Sequence, residues 1–291
     1  MEIIAVIGCG AMGRGIVKNL VKSGYRVYIY DASEAAVRYC EELGAIPNAS
    51  SYQAAQQAEL VITSLPGPEI VNNVMLGAEG VFAALKPGSF VLDMSTIDPK
   101  TAQNLYESAK GQQVHFYDCP LSGGPKGADE GKLTIMVGGD EVHVSAFRPV
   151  LDSIGENIFL LGPSGSGQVA KLCHNMLVAV IKAGLGEAMT VGEKAGLSRG
   201  QLAEVLQSGS AHNRVLDVFG DNILKNEYEN VLFSLAHMSK DIHLYTETAD
   251  YYQADSPLGQ MVSGMYQEAL KDGKGNLDSS AICDSGSKII T

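Results

Sequence analysis

Ile3-Ile4-Ala5-Val6-Ile7-Gly8-Cys9-Gly10-Ala11-Met12-Gly13 decides the fold: an apolar run breaks into glycines spaced G-x-G-x-x-G, then continues into the helical pattern Ile16, Val17, Leu20, Val21. Gly8 permits a tight turn after a strand, Gly10 lets a pyrophosphate approach the backbone, and Gly13 lets the helix pack closely on the sheet. Phosphates would then rest on the N–H groups that open the helix. The glycines alone say little. Val27-Tyr28-Ile29-Tyr30 supplies the second strand, and it ends in Asp31, where a carboxylate is expected to accept hydrogen bonds from a ribose diol. Gly8, Gly10, Ala11, Met12, Gly13 and Asp31 are therefore read as a dinucleotide site. A carboxylate at Asp31 disfavours a 2′-phosphate, and Ala32-Ser33-Glu34 adds no cation, so the cofactor expected is NAD rather than NADP. Asp31 can also cap the next helix, and the two roles are compatible.

Short apolar strands alternate with helical patterns after this opening. Leu60 to Ser64, Phe90 to Met94 and His115 to Asp118 continue a βαβ series, which implies a mostly parallel Rossmann sheet. Turn residues follow each strand at Leu65-Pro66-Gly67-Pro68, Ser95-Thr96 and Cys119-Pro120, at the strand ends where open α/β folds bind ligands. Lys132 to Val137 and Ile158 to Leu161 read as further strands extending that sheet. Gly162-Pro163-Ser164-Gly165 marks a boundary, giving an NAD-binding domain over 1–163 and an all-α domain over 164–291.

From Gly167 to Ala195 the chain is apolar, helical and free of proline, long enough for roughly 40 Å. Such a helix is expected to be buried, joining the two domains or packing on another subunit. Arg199 to Ser208, Val215 to Leu224, Ala236 to Tyr252 and Leu258 to Lys271 read as helices too. The Gly- and Ser-rich tail from Asp272 is expected to be partly mobile.

Composition narrows the partners. A chain of 291 residues with a formal net charge of −12 offers no basic face for nucleic acid or an anionic membrane. Its five scattered cysteines lack any CxxC pair, which fits reduced thiols in a cytoplasmic compartment. With a strand starting at residue 3, no leader is expected, and the run Met176 to Ile181 is too short for a bilayer span.

Lys171 and Asn175 stand one turn apart in Gly167-Gln168-Val169-Ala170-Lys171-Leu172-Cys173-His174-Asn175. They face either a cleft or solvent at the helix edge, with His174 a packed or surface residue. Ser122-Gly123-Gly124 offers a hydroxyl and two N–H groups that suit a carboxylate, or forms an ordinary turn. Lys240-Asp241 reads by default as a solvated pair. No metal site is expected at His237, Asp241 and His243, since no carboxylate cluster supports one.

Together these motifs resemble the β-hydroxyacid dehydrogenase family, which includes enzymes of the 3-hydroxyisobutyrate dehydrogenase and tartronate semialdehyde reductase type. The likeness runs through the glycine loop, Leu65-Pro66, Ser95-Thr96, Ser122-Gly123-Gly124 with Leu133 to Gly139, Gly167 to Asn175, and Lys240-Asp241. It implies that Lys171 is the catalytic general acid/base, that Ser122, Gly123, Gly124 and Asn175 hold substrate, that Lys240 lies near substrate and cofactor, and that Leu65, Pro66 and Thr96 touch NAD. Burial, the nicotinamide cation and Lys240 are expected to lower the Lys171 pKa into a useful range. The implied substrate is a small anionic 3-hydroxy acid or its semialdehyde, and the implied assembly a homodimer or homotetramer. Cys119, Leu121 and His237 depart from the usual family residues. Lys126, after Gly124-Pro125, suggests a doubly anionic substrate such as tartronate semialdehyde or a 2-hydroxymethylglutarate type. Imine reduction on the same fold and a non-catalytic NAD-binding regulator are the other readings; the short chain disfavours the larger helical domain of 6-phosphogluconate dehydrogenases.

Overall fold

The computed structural model describes residues 1–284. The chain forms two compact units, Met1–Lys171 and Leu172–Thr291. The division falls eight residues beyond the boundary expected at 163/164, because the first residues of the Ser166–Lys194 helix belong with the sheet.

In the first unit β1 (Ile3–Ile7), β2 (Arg26–Tyr30), β3 (Ile46–Pro47), β4 (Leu60–Thr63), β5 (Phe90–Asp93) and β6 (His115–Asp118) form one parallel sheet in the order β3-β2-β1-β4-β5-β6. Burial on both faces explains the near-continuous apolar strands. Ile4 and Val6 pack with Ile16, Val17 and Leu20 of the first helix on one face. Ala5 and Ile7 turn to the other, against Val61, Phe82 and Leu105. The order reverses between β1 and β4, so the loops after β1, β4 and β5 gather beside the crevice that such sheets use for dinucleotides.

The next strands do not extend this sheet. β7 (Leu121–Ser122), β8 (Leu133–Val137) and β9 (Gly155–Leu160) form a separate three-stranded sheet, with β7 antiparallel and β9 parallel to β8. Pro120 lies at the corner between β6 and β7 and has no N–H with which to continue a ladder, while its carbonyl accepts from Met136 N–H.

The second unit is helical, with Arg199–Ser208, Arg214–Lys225, Leu235–Tyr251 and Pro257–Lys271 close to the expected bounds. Ser198, Asn213 and Ser234 cap three of these helices through their side chains. The Ser166–Lys194 helix has the length and composition of a bilayer span, contrary to the expectation from its short apolar run. Its Ala179, Ala183, Leu185 and Met189 instead pack into the core of this unit. It is less buried than expected: Leu177 is 58% and Val191 67% exposed. The described part of the tail is packed into this unit. Asp278, fully buried, accepts from Leu232 and Phe233 N–H and from Ser280, and Ser279 to Cys283 are buried behind it. The part of the tail beyond Asp284 lies outside the described residues.

Candidate active site

The glycine turn is built by close backbone approach. Gly8 has φ +98°, and a Cβ there would collide with the Ser64 carbonyl; a Cβ at Gly13 would collide with the Gly8 carbonyl. Gly10 differs, because a Cβ there would meet nothing within 4 Å. That open space, above a helix whose N-terminus at Met12 has no side-chain cap and whose first turn has no acidic residue, fits a pyrophosphate. Asp31 closes the other side of the turn, with Oδ2 accepting from Cys9 N–H at 2.6 Å and Oδ1 from Ser33 N–H at 2.7 Å. A carboxylate has about four acceptor positions, so a ribose diol can still be accommodated. Ser33, rather than Asp31, caps the following helix.

The remaining loops are tied to one another by buried polar groups. Leu65 N–H donates to Ser95 Oγ at 2.9 Å, which joins the Leu65-Pro66 and Ser95-Thr96 turns. Beneath them Asp93 Oδ1 accepts from Thr63 Oγ1 at 2.7 Å and Ser95 N–H at 3.2 Å, while Oδ2 is buried without a hydrogen-bond partner among the described residues. Burial pushes this carboxyl up to about 6 despite the bonds to Ser95 and Thr63. Gln168, fully buried, donates from Nε2 to the Ser95 carbonyl and accepts on Oε1 from Ile97 N–H. Lys171 follows on the same helix and is 8% exposed.

Asp118 sets where that helix begins. Its Oδ1 accepts from Gly165 N–H at 2.7 Å and its Oδ2 from Gln168 N–H at 3.0 Å. Burial raises its pKa, and these N–H groups pull the other way. Ser122 ends β7, and Gly123 (φ +129°) and Gly124 (φ +62°) lead into the short Gly124–Glu130 helix. Asn19 holds that helix against the first one, donating to Gly15 O and Ala128 O. Gly15 permits the contact, since a Cβ would lie 2.6 Å from the Ala128 backbone. Lys126 is exposed on the same short helix.

In the second unit Asn175, 4% exposed, donates from Nδ2 to Asp241 Oδ2 at 2.6 Å. Lys240 pairs with Asp241 Oδ1 at 2.8 Å. Asp241 is only 2% exposed, so the default of a solvated charge pair is wrong: the partner of both groups is a buried carboxylate. His174 is exposed, its Nδ1 3.0 Å from Asn175 Oδ1. His237 bonds to Ser234 and His243 pairs with Glu247; no group of three or more metal-ligating side chains occurs among the described residues.

The first unit thus brings Gly8 to Gly13, Asp31, Leu65, Pro66 and Thr96 to the C-terminal ends of one sheet, and the second joins Asn175 to Lys240. Sequence reading gave no role to Asp93, Asp118 and Gln168, and took Asp241 only as the solvated partner of Lys240. Only their polarity within apolar surroundings hinted at them.

A parallel sheet in this order, with a glycine turn on β1 and an acid after β2, defines a dinucleotide-binding unit. A polar helix start carrying a buried lysine and a following helical unit fit an oxidoreductase of the two-unit type. Residues 3–162 match the model for the NAD binding domain of 6-phosphogluconate dehydrogenase. Residues 165–285 match that described as NAD-binding of NADP-dependent 3-hydroxyisobutyrate dehydrogenase. The chain is 36% identical to the NAD-dependent L-serine dehydrogenase of Pseudomonas aeruginosa over 97% of both chains. It is also 36% identical to the 3-hydroxyisobutyrate dehydrogenase of that organism over 91% of both. The solved structure of Mycobacterium tuberculosis 3-hydroxyisobutyrate dehydrogenase with L-serine is 32% identical, with a TM-score of 0.89 over 97% of this chain and 98% of that one. The chain belongs to the β-hydroxyacid dehydrogenase family and is an NAD(P)-dependent oxidoreductase.

Proposed function

We propose that the protein interconverts a small 3-hydroxy acid and its semialdehyde with NAD(H), with Lys171 as the general acid/base. The observation that carries this reading is a lysine 8% exposed in the unit that bears the glycine turn, one helical turn past the residue that holds the Ser95–Ile97 loop. When bound, NAD⁺ supplies the hydride acceptor. In oxidation Lys171, in its neutral form, takes the hydroxyl proton; in reduction it returns that proton to the carbonyl oxygen. Ser122 Oγ and the Gly123 and Gly124 N–H groups suit the substrate carboxylate, the glycines being placed by their positive φ. Asn175 orients the hydroxyl or carboxylate by hydrogen bonding, and Lys240 adds positive charge near substrate and cofactor. Leu65, Pro66 and Thr96 line the cofactor. Asp31 favours NAD over NADP, because a carboxylate bonded to Cys9 and Ser33 N–H leaves negative charge where a 2′-phosphate would sit.

L-Serine and 3-hydroxyisobutyrate, named in the relatives, share one chemistry: a primary alcohol one carbon from a carboxylate-bearing centre. That pattern is the substrate class favoured here. Exposed Lys126, after the carboxylate-binding turn, favours a second reading within it, a substrate with a further anionic group. The free thiols suit a reducing, cytoplasmic setting, and the exposed Leu177 and Val191 suit a homo-oligomer. A panel of L-serine, 3-hydroxyisobutyrate, glycerate and 2-(hydroxymethyl)glutarate, assayed by the absorbance of reduced nicotinamide, tests the proposal. Turnover of at least one with NAD is expected, and turnover of none in either direction contradicts it.

A further inference from the structure

Thr96 lies between two backbone groups gripped by a single side chain. Gln168 Nε2 donates to the Ser95 carbonyl at 2.9 Å, and Gln168 Oε1 accepts from Ile97 N–H at 3.1 Å. The amide thus pairs with residues on both sides of Thr96, much as a neighbouring strand would. An unbonded buried amide is costly, so a fully buried glutamine with both ends engaged holds this loop in one register. Through Ser95 Oγ the grip reaches Leu65 N–H as well.

The other end of Gln168 is equally fixed. Its backbone N–H meets Asp118 Oδ2, and Gly165 N–H meets Oδ1, so the carboxylate determines the start of the helix. Gly167 makes that approach feasible. A Cβ there would lie 2.8 Å from both the carbonyl and Oδ2 of Asp118, and would collide with the Met136 carbonyl. Lys171 is three residues further, on the face that Gln168 shares. Loop, clamp and lysine all belong to one compact unit.

We propose that Gln168 is a positioning residue for hydride transfer: its side chain fixes the Ser95–Ile97 loop in register with the helix turn that carries Lys171. The inference rests on the reading of Lys171 as the acid/base group. It adds that the distance between proton acceptor and cofactor loop is set by one amide, itself aimed by Asp118. Misplacement by about 1 Å can cost roughly a hundredfold in rate, so releasing the clamp acts on catalysis more than on binding.

The test compares wild type, Gln168→Met, Gln168→Glu and Lys171→Ala on L-serine and 3-hydroxyisobutyrate. It reads kcat, KM, NADH affinity by fluorescence, and the primary isotope effect with substrate deuterated at the carbinol carbon. Met keeps the length and removes both bonds; Glu keeps the acceptor for Ile97 N–H and loses the donor to Ser95. For the Met variant kcat is expected to fall roughly 10- to 100-fold, with NADH affinity within about threefold and a larger isotope effect. A kcat within twofold of wild type overturns the proposal. So does a loss of NADH affinity that matches the loss of kcat, because Gln168 would then merely support the binding site. If the Met variant does not fold, the Glu variant is judged by the same criteria. Failure of the underlying reading shows separately, as near-normal turnover in Lys171→Ala or no turnover of either substrate by wild type.

Discussion

Asp241 is the most informative residue to remove from the second unit. It is 2% exposed and accepts from the buried Asn175 amide at 2.6 Å while pairing with Lys240 at 2.8 Å. Asp241→Ala deprives a buried amide of its charged acceptor, a loss of about 1–3 kcal/mol. Lys240 is 27% exposed and can partly rehydrate, so its pair adds about 1 kcal/mol or less. The expected destabilisation is therefore about 1–4 kcal/mol, and Asp241→Asn, which keeps one acceptor, should lose less. Two-unit chains need not unfold in one step. Amide exchange across the Leu235–Tyr251 helix, read by mass spectrometry, therefore measures the local opening free energy more directly than a melt. A double-mutant cycle with Asn175→Ala isolates the bond itself. Coupling of about 1.5–3 kcal/mol is expected for a hydrogen bond to a buried carboxylate. Additivity within about 0.5 kcal/mol would show that Asp241 does not hold Asn175.

Three other perturbations probe the first unit. Asp31→Arg should weaken NAD about 10- to 100-fold and shift preference toward NADP; a wild-type enzyme that prefers NADP contradicts the role given to this carboxylate. Lys126→Ala should raise KM about fivefold for a dicarboxylate such as 2-(hydroxymethyl)glutarate and leave L-serine unchanged, whereas an equal loss on both removes Lys126 from substrate selection. Asp93 keeps its proton to about pH 6 when folded, against 3.8 when unfolded. The folded chain therefore binds the extra proton in that window, and this group's contribution falls as pH rises through it, by about 3 kcal/mol in all. Asp93→Asn should remove this dependence and gain on wild type between pH 4 and 6 in urea unfolding; parallel pH curves for the two proteins contradict the assignment.

The strands of the parallel sheet were legible because double burial leaves an apolar run that needs no knowledge of its neighbours. Ile3–Ile7 and His115–Asp118 fall where they were expected. The Arg199–Ser208 helix has its expected bounds, and the structure shows Ser198 and Asn213 capping it and the helix after it. The destination of a strand was not legible: Leu133–Val137 has strand character, but it pairs with Leu121–Ser122 and Gly155–Leu160 in a second sheet. Partners distant in sequence were hidden as well. Asp241 resembles a solvated charge until Asn175, 66 residues away, is seen to meet it. Gln168 looks like an unremarkable helix residue until its amide reaches Ser95, 73 residues upstream. The tail from Asp272 looked loose because its composition is polar, yet Asp278 ties it to Leu232 and Phe233. Motif spacing located Lys171 and Asn175, and the structure added the buried groups beside them.

Lys171 is proposed to move the proton while the glycine turn binds the cofactor independently of it. The most direct measurement is kcat of Lys171→Ala on the best substrate of the panel, alongside its NADH affinity. Removing the lysine should cost roughly 100-fold or more in kcat, with NADH affinity near that of wild type. Turnover close to wild type, with cofactor binding intact, would contradict it.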